Sequence, residues 1–437
     1  MNPTLSIPAD EASLDMTQHC SRFALAVSRR CLHRWLVVKA LREFTQGCLV
    51  MHLPDDEKLV FGQSTDSGPQ AHIQIRQPLS FFVHLARYGG VGLGEAYTQG
   101  WWETSDLRAV LDWFIINIQS SPKLRGSSQR FKLIGFLRVA NRIQHLLRPN
   151  SVKTSRRNIQ EHYDLGNDFY KLWLDPTLTY SSAKFTRQDQ SLQEAQLAKY
   201  EALCEKLKLK PTDHVLEIGC GWGGFSLYAA EKYGCRITAV TISQEQYREA
   251  CQRIKAAGFE SRVEVRLQDY RHIQGQFDKI ASIEMLEAVG EKYLETYFAK
   301  CGELLAPHGI LAVQMITVPD HNYRQLAKGV DWIQKHIFPG SLLLAVGRVN
   351  EAIQRTSKLC PLALEDLGAS YARTMSEWYL NFNAKLDEVR QQGFSETFIR
   401  KWNYYLKYCE SAFATRNISV VQASWSRHEH HAVHEIW

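Results

Sequence analysis

Apolar positions in the second half of the chain fall into short runs separated by stretches of helical spacing. Val215, Leu216 and Ile218 form the first run, and Arg236–Val240, Val263–Leu267, Phe277–Ile283 and Ile310–Ile316 follow. Val215, Leu216 and Ile218 suit a buried parallel strand, and helical patterns separate it from the runs that follow. The resulting β-α-β-α succession predicts an α/β fold with a doubly wound parallel sheet, whose ligand groups collect at the carboxyl ends of the strands. Beyond the fifth run, helical patterns over Tyr323–His336 and Val349–Lys358 read as covering insertions. Ile418–Trp425 reads as a last, antiparallel edge strand.

The part before Asn158 has a different pattern. Cys48–Leu53 and Leu59–Phe61 flank the turn-like Pro54-Asp55-Asp56, which predicts a hairpin, and Ile73–Arg76 is a third strand. Phe81-Phe82-Val83 and the glycine-rich Gly89–Tyr97 lead to Trp101-Trp102. A smaller α+β amino-terminal domain (1–150) is therefore expected ahead of an α/β domain (151–437), with Ser127-Ser128 and Pro149–Ser155 as linkers.

Composition and charge narrow the setting. The hydrophobic content of 45 % fits a folded globular chain. No stretch has the length and freedom from charge of a spanning helix, and the amino terminus lacks the apolar core of a signal peptide. The cysteines are scattered without a C-x-x-C pair, which predicts neither zinc nor a disulfide framework and points to a reducing cytosol. His428, His430, His431 and His434 read as a solvated tail, so no metal is expected. Between Trp113 and Gln160 there is no acid, while Lys123, Arg125, Arg130, Lys132, Arg138, Arg142, Arg148, Lys153, Arg156 and Arg157 accumulate. Each such cation is worth about 1 kcal/mol beside an anionic bilayer. Phe131, Ile134, Leu137, Val139, Ile143, Leu146 and Leu147 add an apolar stripe that suits either an interfacial helix or an interdomain face. The expectation is a cytoplasmic, peripheral protein at the inner membrane surface. Nucleic acid is disfavoured, because the net charge is only +6 and no recognition motif accompanies the basic run. A homodimer is compatible with this reading.

Candidate chemistry begins at Val215–Gly224, V-L-E-I-G-C-G-W-G-G, where an apolar strand opens into a glycine turn ahead of a helix. Gly219-x-Gly221-x-x-Gly224 also fits a dinucleotide fingerprint. A dinucleotide site would place an acid at the end of the second strand, where this chain reads Thr241-Ile242-Ser243-Gln244-Glu245-Gln246. The third run leads into Gln268-Asp269-Tyr270, and the fourth into Glu284-Met285-Leu286-Glu287.

Together with His162–Asn167, Tyr180-Ser181-Ser182-Ala183 and Ile337-Phe338-Pro339-Gly340, these motifs resemble one family from about Asn158 to Trp425. It is that of the S-adenosylmethionine-dependent cyclopropane fatty-acyl-phospholipid synthases, with the mycolic-acid and fatty-acid methyltransferases. The resemblance implies a Rossmann-like class I methyltransferase sheet with helical lid insertions, and S-adenosylmethionine as cofactor. It places Gly219 and Gly221 against the methionine part, Thr241, Ile242 and Gln246 at the ribose, and Gln268 and Asp269 beside the adenine. Tyr180 and Ser181 belong to a loop that closes over the cofactor.

Methylating an alkene leaves a carbocation, which needs aromatic or apolar walls and a base. Tyr180, Phe338, Tyr371 and Trp378 are the candidate walls. The family holds a bicarbonate ion with a Cys, a Glu, a His, a Tyr and a backbone amide. Here Ser182 stands for the Cys and Gln314 for the His, while Glu287, Tyr371 and Ile316 keep their positions. Serine and glutamine can still donate to an oxyanion. Glu284, three residues before Glu287, is a second carboxylate able to serve as a protein base or merely to start a helix. Cys409 matches a cysteine once regarded as the family's nucleophile, but its spacing with Tyr405, Leu406 and Phe413 suits a buried thiol. The implied activity is cyclopropane formation on an unsaturated acyl chain of membrane phospholipid. The alternatives are a methyl-branched or methylene product, methylation of another amphipathic small molecule, and a non-catalytic lipid sensor.

Overall fold

The computed structural model describes residues 32–64, 68–120, 165–327 and 329–428, and the chain divides into two compact units, Met1–Leu137 and Arg138–Trp437. The basic run and its apolar stripe, the linkers, His162–Asp164 and the histidines beyond His428 lie outside the described residues.

In the first unit β1 (Cys48–His52) and β2 (Lys58–Gly62) form the expected hairpin, Val50 facing Val60. β3 (Gln70–Ile75) runs parallel to β1, and the short β4 (Trp102–Glu103) pairs with it, giving the order β2-β1-β3-β4. Helices Pro78–Tyr88, Gly90–Thr98 and Leu107–Ser120 complete this α+β unit, with Leu49, Met51, Phe81, Trp102 and Trp113 in its core. Gly92 is required by close approach, since a Cβ there would stand 2.2 Å from the His84 carbonyl oxygen.

The second unit is built on a seven-stranded sheet, order β10-β11-β9-β8-β5-β6-β7. β5 (His214–Ile218) runs parallel to β6 (Arg236–Thr241) on one side and to β8 (Phe277–Ile283) on the other. β7 (Val263–Leu267) and β9 (Leu305–Thr317) continue the parallel set outward. Neighbouring residues of β5 serve opposite cores: Leu216 packs with Ile280, Leu311 and Phe298, and Val215 with Leu203, Phe225 and Ala312. The chain leaves β5 for β6 and β7 on one side and for β8 and β9 on the other. The carboxyl end of β5 is therefore a topological switch point, where open α/β sheets bind ligands.

Two expectations need correction. Ile418–Trp425 is antiparallel but does not form the edge: β11 (Ser419–Arg427) lies between β9 and a further antiparallel strand, β10 (Leu359–Asp366). β10 tolerates Pro361 because that residue sits on the sheet's edge at a register shift. The pattern over Tyr323–His336 is broken into the helices Asp320–Leu326 and Trp332–His336, the second begun by a capping box between Asp331 and Gln334. No helix among the described residues is long and apolar enough to cross a membrane.

Candidate active site

Beyond β5 the backbone turns through positive φ at Gly219 (+85°), Gly221 (+52°) and Gly223 (+83°). The amides of Gly219 and Cys220 both donate to the Val240 carbonyl, at 2.9 and 3.0 Å, which pins the turn to β6. A Cβ on Gly221 would meet nothing within 4 Å, so the turn faces open space, whereas one on Gly224 would stand 2.4 Å from Tyr200 Oη. Gly221 thus allows a ligand to approach, and Gly224 is glycine for packing. At the end of β6, Thr241 Oγ1 donates to Gln246 Oε1 (2.9 Å), and Ser243 caps the helix Gln244–Ala256 that carries Gln246. Ile242 between them is half-buried. At the end of β7, the Gln268 amide donates to the Thr241 carbonyl (3.0 Å). The Asp269 carboxylate is ion-paired with Arg271 at 2.7 Å; burial pushes its pKa up, but the Arg271 hydrogen bonds and charge prevail and hold it below the ordinary range. Three adjacent strand ends thus present an open glycine cradle and a row of polar side chains, which fits an adenosyl cofactor carrying an amino-acid tail.

The fourth strand end carries the acids. Glu284 adopts φ +49°, a conformation that costs a non-glycine residue about 1–2 kcal/mol. Its Oε1 accepts from the Ser182 amide (2.8 Å) and from Gln314 Nε2 (2.7 Å), and its Oε2 accepts from the Tyr371 hydroxyl (2.7 Å). The Ser182 hydroxyl instead donates to the Ala183 carbonyl (2.9 Å), and Gln314 Oε1 accepts from Gln422 Nε2 (3.0 Å). These contacts correct the expectation of a bound bicarbonate. Ser182, Gln314 and Tyr371, expected to hold that ion, hold the carboxylate of Glu284, and Ser182 does so through its backbone. Bicarbonate does not fit where its donors are already engaged. Glu287 accepts from the Ile316 amide through Oε1 (2.5 Å), while its buried Oε2 has no partner. Burial, and then the charge of Glu284, push the Glu287 pKa up to about 8; burial also raises that of Glu284, against the pull of its donors. Each carboxyl thus disfavours ionisation of the other, and Glu284, with three donors against one for Glu287, is the better held of the two as a carboxylate.

A cluster of rings adjoins Glu284 through Tyr371. Tyr371 stacks on Phe413 (centroids 4.3 Å apart), and Tyr180 packs against Trp378 (5.3 Å) and Phe338 (6.3 Å), so the four expected walls do meet. Trp173 and Tyr170 join Tyr180 at 5.5 and 5.4 Å, and Tyr405 donates to or accepts from its hydroxyl at 2.8 Å. Cys409 lies in the helix Glu396–Ala414 behind these rings; burial pushes its thiol well up, which does not suit a nucleophile.

Sequence reasoning missed Lys199. It is wholly buried in the helix Leu192–Leu207, and its Nζ donates to Ser181 Oγ at 2.8 Å. Its signal was spacing: Leu192, Ala195, Gln196, Lys199, Leu203 and Leu207 share one helical face, on which an amide and an ammonium stand at apolar positions.

Among known proteins, the family described as mycolic acid cyclopropane synthetase matches residues 150–423. A tuberculostearic acid methyltransferase of Mycobacterium tuberculosis is 36 % identical over 393 residues, 85 % of this chain and 87 % of that one. A cyclopropane-fatty-acyl-phospholipid synthase of Escherichia coli is 36 % identical over 370 residues, 84 % and 90 % of the two chains. Of the solved structures, a cyclopropane synthase from Mycobacterium tuberculosis gives a TM-score of 0.59 at 29 % identity, covering 62 % of this chain and 98 % of that one. A mycolic acid cyclopropane synthase solved with SAH and CTAB gives 0.58 at 29 % identity over the same shares. The chain belongs to the mycolic acid cyclopropane synthetase family and is an S-adenosylmethionine-dependent methyltransferase.

Proposed function

We propose that this methyltransferase acts on a carbon of the cis double bond in an unsaturated acyl chain of membrane phospholipid. The observation that carries the reading is a buried carboxylate, Glu284, fixed by three donors at the carboxyl end of the sheet, one of them the hydroxyl of Tyr371, whose ring packs against Trp378. Gly219, Gly221, Thr241, Gln246 and Gln268 would hold the cofactor, whose sulfonium methyl is the electrophile. Tyr180, Phe338, Tyr371 and Trp378 keep water from the cation that develops on the acyl chain and face it with their quadrupoles. Glu284 takes the proton, and Tyr371 and Gln314 hold its carboxylate in place. Proton loss from the newly added methyl closes a cyclopropane; loss from a chain carbon beside the cation leaves a methyl-branched alkene, and a hydride shift to the cation followed by loss from the methyl leaves a methylene product. The frame of Glu287, Tyr371 and the Ile316 amide supports ring closure. A tethered Glu284 in place of a separate anion favours the open-chain product. The names of the Escherichia coli and Mycobacterium tuberculosis relatives support these two outcomes respectively. The basic run would bring the enzyme to anionic headgroups at the cytoplasmic face of the membrane.

The test incubates the purified full chain with S-adenosylmethionine and monounsaturated phospholipid vesicles and examines the recovered acyl chains by mass spectrometry and proton NMR. Gain of one CH2 with high-field ring protons and no olefinic signal is the expectation for ring closure. The same gain with olefinic protons retained selects an open-chain methyl-branched or methylene product. No gain on any unsaturated lipid overturns the proposal and leaves another amphipathic substrate or a lipid sensor.

A further inference from the structure

Lys199 is a fully buried cation whose ammonium touches no carboxylate among the described residues. Its Nζ makes one hydrogen bond, to Ser181 Oγ, and lies 4.4 Å from the Tyr200 ring centroid. Among the described residues it forms no ion pair; Glu284, Asp175 and Glu217 attract it only at longer range. A buried ammonium with a single neutral partner is costly, because it offers three donors and a full charge. Ser181, having accepted from Nζ, keeps its own hydroxyl hydrogen to give. One turn earlier, Gln196 donates Nε2 to the Ser181 carbonyl (2.9 Å), while its buried Oε1 has no partner. Ser181 is thus flanked by a cation and by a free acceptor.

The position of Ser181 indicates what this arrangement serves. The segment before it touches the glycine turn: the Thr177 carbonyl oxygen and Tyr200 Oη both crowd Gly224, and Thr179 Oγ1 bonds Tyr200 Oη at 2.5 Å. The residue after it, Ser182, holds Glu284. Ser181 therefore lies within the segment that runs from a contact on the glycine turn, at Gly224, to the contact with the base. We propose that Lys199, acting through Ser181, is the counter-charge for the carboxylate at the amino-acid end of S-adenosylmethionine. This rests on placing that end at Gly219 and Gly221. Lys199 is a positioning residue in this scheme, and Gln196 Oε1 is the acceptor for the neighbouring α-ammonium.

The experiment is calorimetric binding of two probes to the full chain: S-adenosylhomocysteine, which keeps the amino-acid end, and methylthioadenosine, which lacks it. Lys199→Met should weaken S-adenosylhomocysteine by about thirtyfold or more, as expected for removing one member of a buried charge pair. Methylthioadenosine should change by less than about threefold, and Lys199→Arg should restore most of the S-adenosylhomocysteine affinity. Ser181→Ala, a milder change to the fold, should give the same selective loss at about tenfold, the size of a hydrogen bond to a charged group. Equal losses for both probes would reduce Lys199 to a structural role, and unchanged S-adenosylhomocysteine affinity would likewise overturn the proposal. Wild-type protein that binds methylthioadenosine but not S-adenosylhomocysteine would remove the amino-acid end from this loop altogether, and binding of neither would remove the cofactor placement itself.

Discussion

Replacing Glu284 by Gln removes the base and one negative charge while keeping the side chain's shape. Gln Oε1 can still accept from the Ser182 amide and Gln314 Nε2, and its new Nε2 faces the Tyr371 oxygen, which can accept once its hydroxyl turns. The carboxylate's desolvation disappears along with its charge-assisted bonds, so stability should change by no more than about 1 kcal/mol. Activity should not survive so well. A positioned general base is worth about 10²–10⁴ in rate, and at about 1.36 kcal/mol per tenfold this is roughly 2.7–5.5 kcal/mol of barrier. The assay is the initial rate of methyl incorporation from labelled S-adenosylmethionine into vesicle lipid, with S-adenosylhomocysteine affinity as the control for an intact cofactor site. Glu284→Gly completes the test, because it relieves the +49° backbone and frees three donors that converge on one spot. That variant should be inactive alone and should recover activity when bicarbonate is added. Glu284→Gln retaining more than about a third of the wild-type rate would refute the assignment of the base, given the size of a general-base effect.

Tyr371→Phe keeps the stack on Phe413 but leaves Glu284 Oε2 short of its donor, so it should lower stability by about 1–3 kcal/mol and shift the acidic limb of the pH–rate profile upward, read by thermal melts and kcat against pH. Glu287 has a folded pKa of about 8, above the ordinary 4.5, so its stabilising contribution is full below 4.5 and is lost as pH rises through about 8. Glu287→Gln should therefore flatten the fall of Tm between about pH 5 and 8 relative to wild type, and an unchanged slope would mean that the acid is ionised throughout. Gly224→Ala, with its Cβ 2.4 Å from Tyr200 Oη, should lower Tm with or without cofactor. Gly221→Ala meets no atom and should cost only about 1–2 kcal/mol in the apoprotein, yet weaken S-adenosylhomocysteine strongly.

What the sequence made legible follows from burial. β8 was readable to the residue because its largely buried run gives way to polar loop, and β7 because Val263, Val265 and Leu267 alternate with Glu264 and Arg266. β10 was not: five of its eight residues are exposed, so it has no buried face to mark it, and its place at the edge comes from pairing with a strand some sixty residues later. The acids at 284 and 287 were visible as a spacing, but their roles were not. Glu284 is defined by Ser182, 102 residues earlier, and Tyr371, 87 residues later. Ser182 was read by its hydroxyl, when its amide makes the contact that matters; no residue type encodes that. Lys199 carried a signal in its helical phase, but a lone cation on an apolar face is ambiguous until the loop above it is in place.

A base supplied as a bound ion must be captured from solution at each turnover, and its position depends on how well its donors close around it. Glu284 is present at all times, but at the cost of a left-handed backbone at a residue with a side chain and of a buried charge. Three donors and the longer-range attraction of Lys199 offset the charge. Tethering also fixes the direction from which the proton is taken, because the carboxylate cannot move around the substrate as a free ion can. A site of this kind should be narrower in product than one holding a mobile anion, and opening it with Glu284→Gly and bicarbonate should broaden the product mixture as it restores turnover. The same NMR spectrum that measures recovered activity would show this, by the ratio of ring to olefinic protons. An unchanged ratio would mean that the acyl chain's own seating, and not the base, selects the proton.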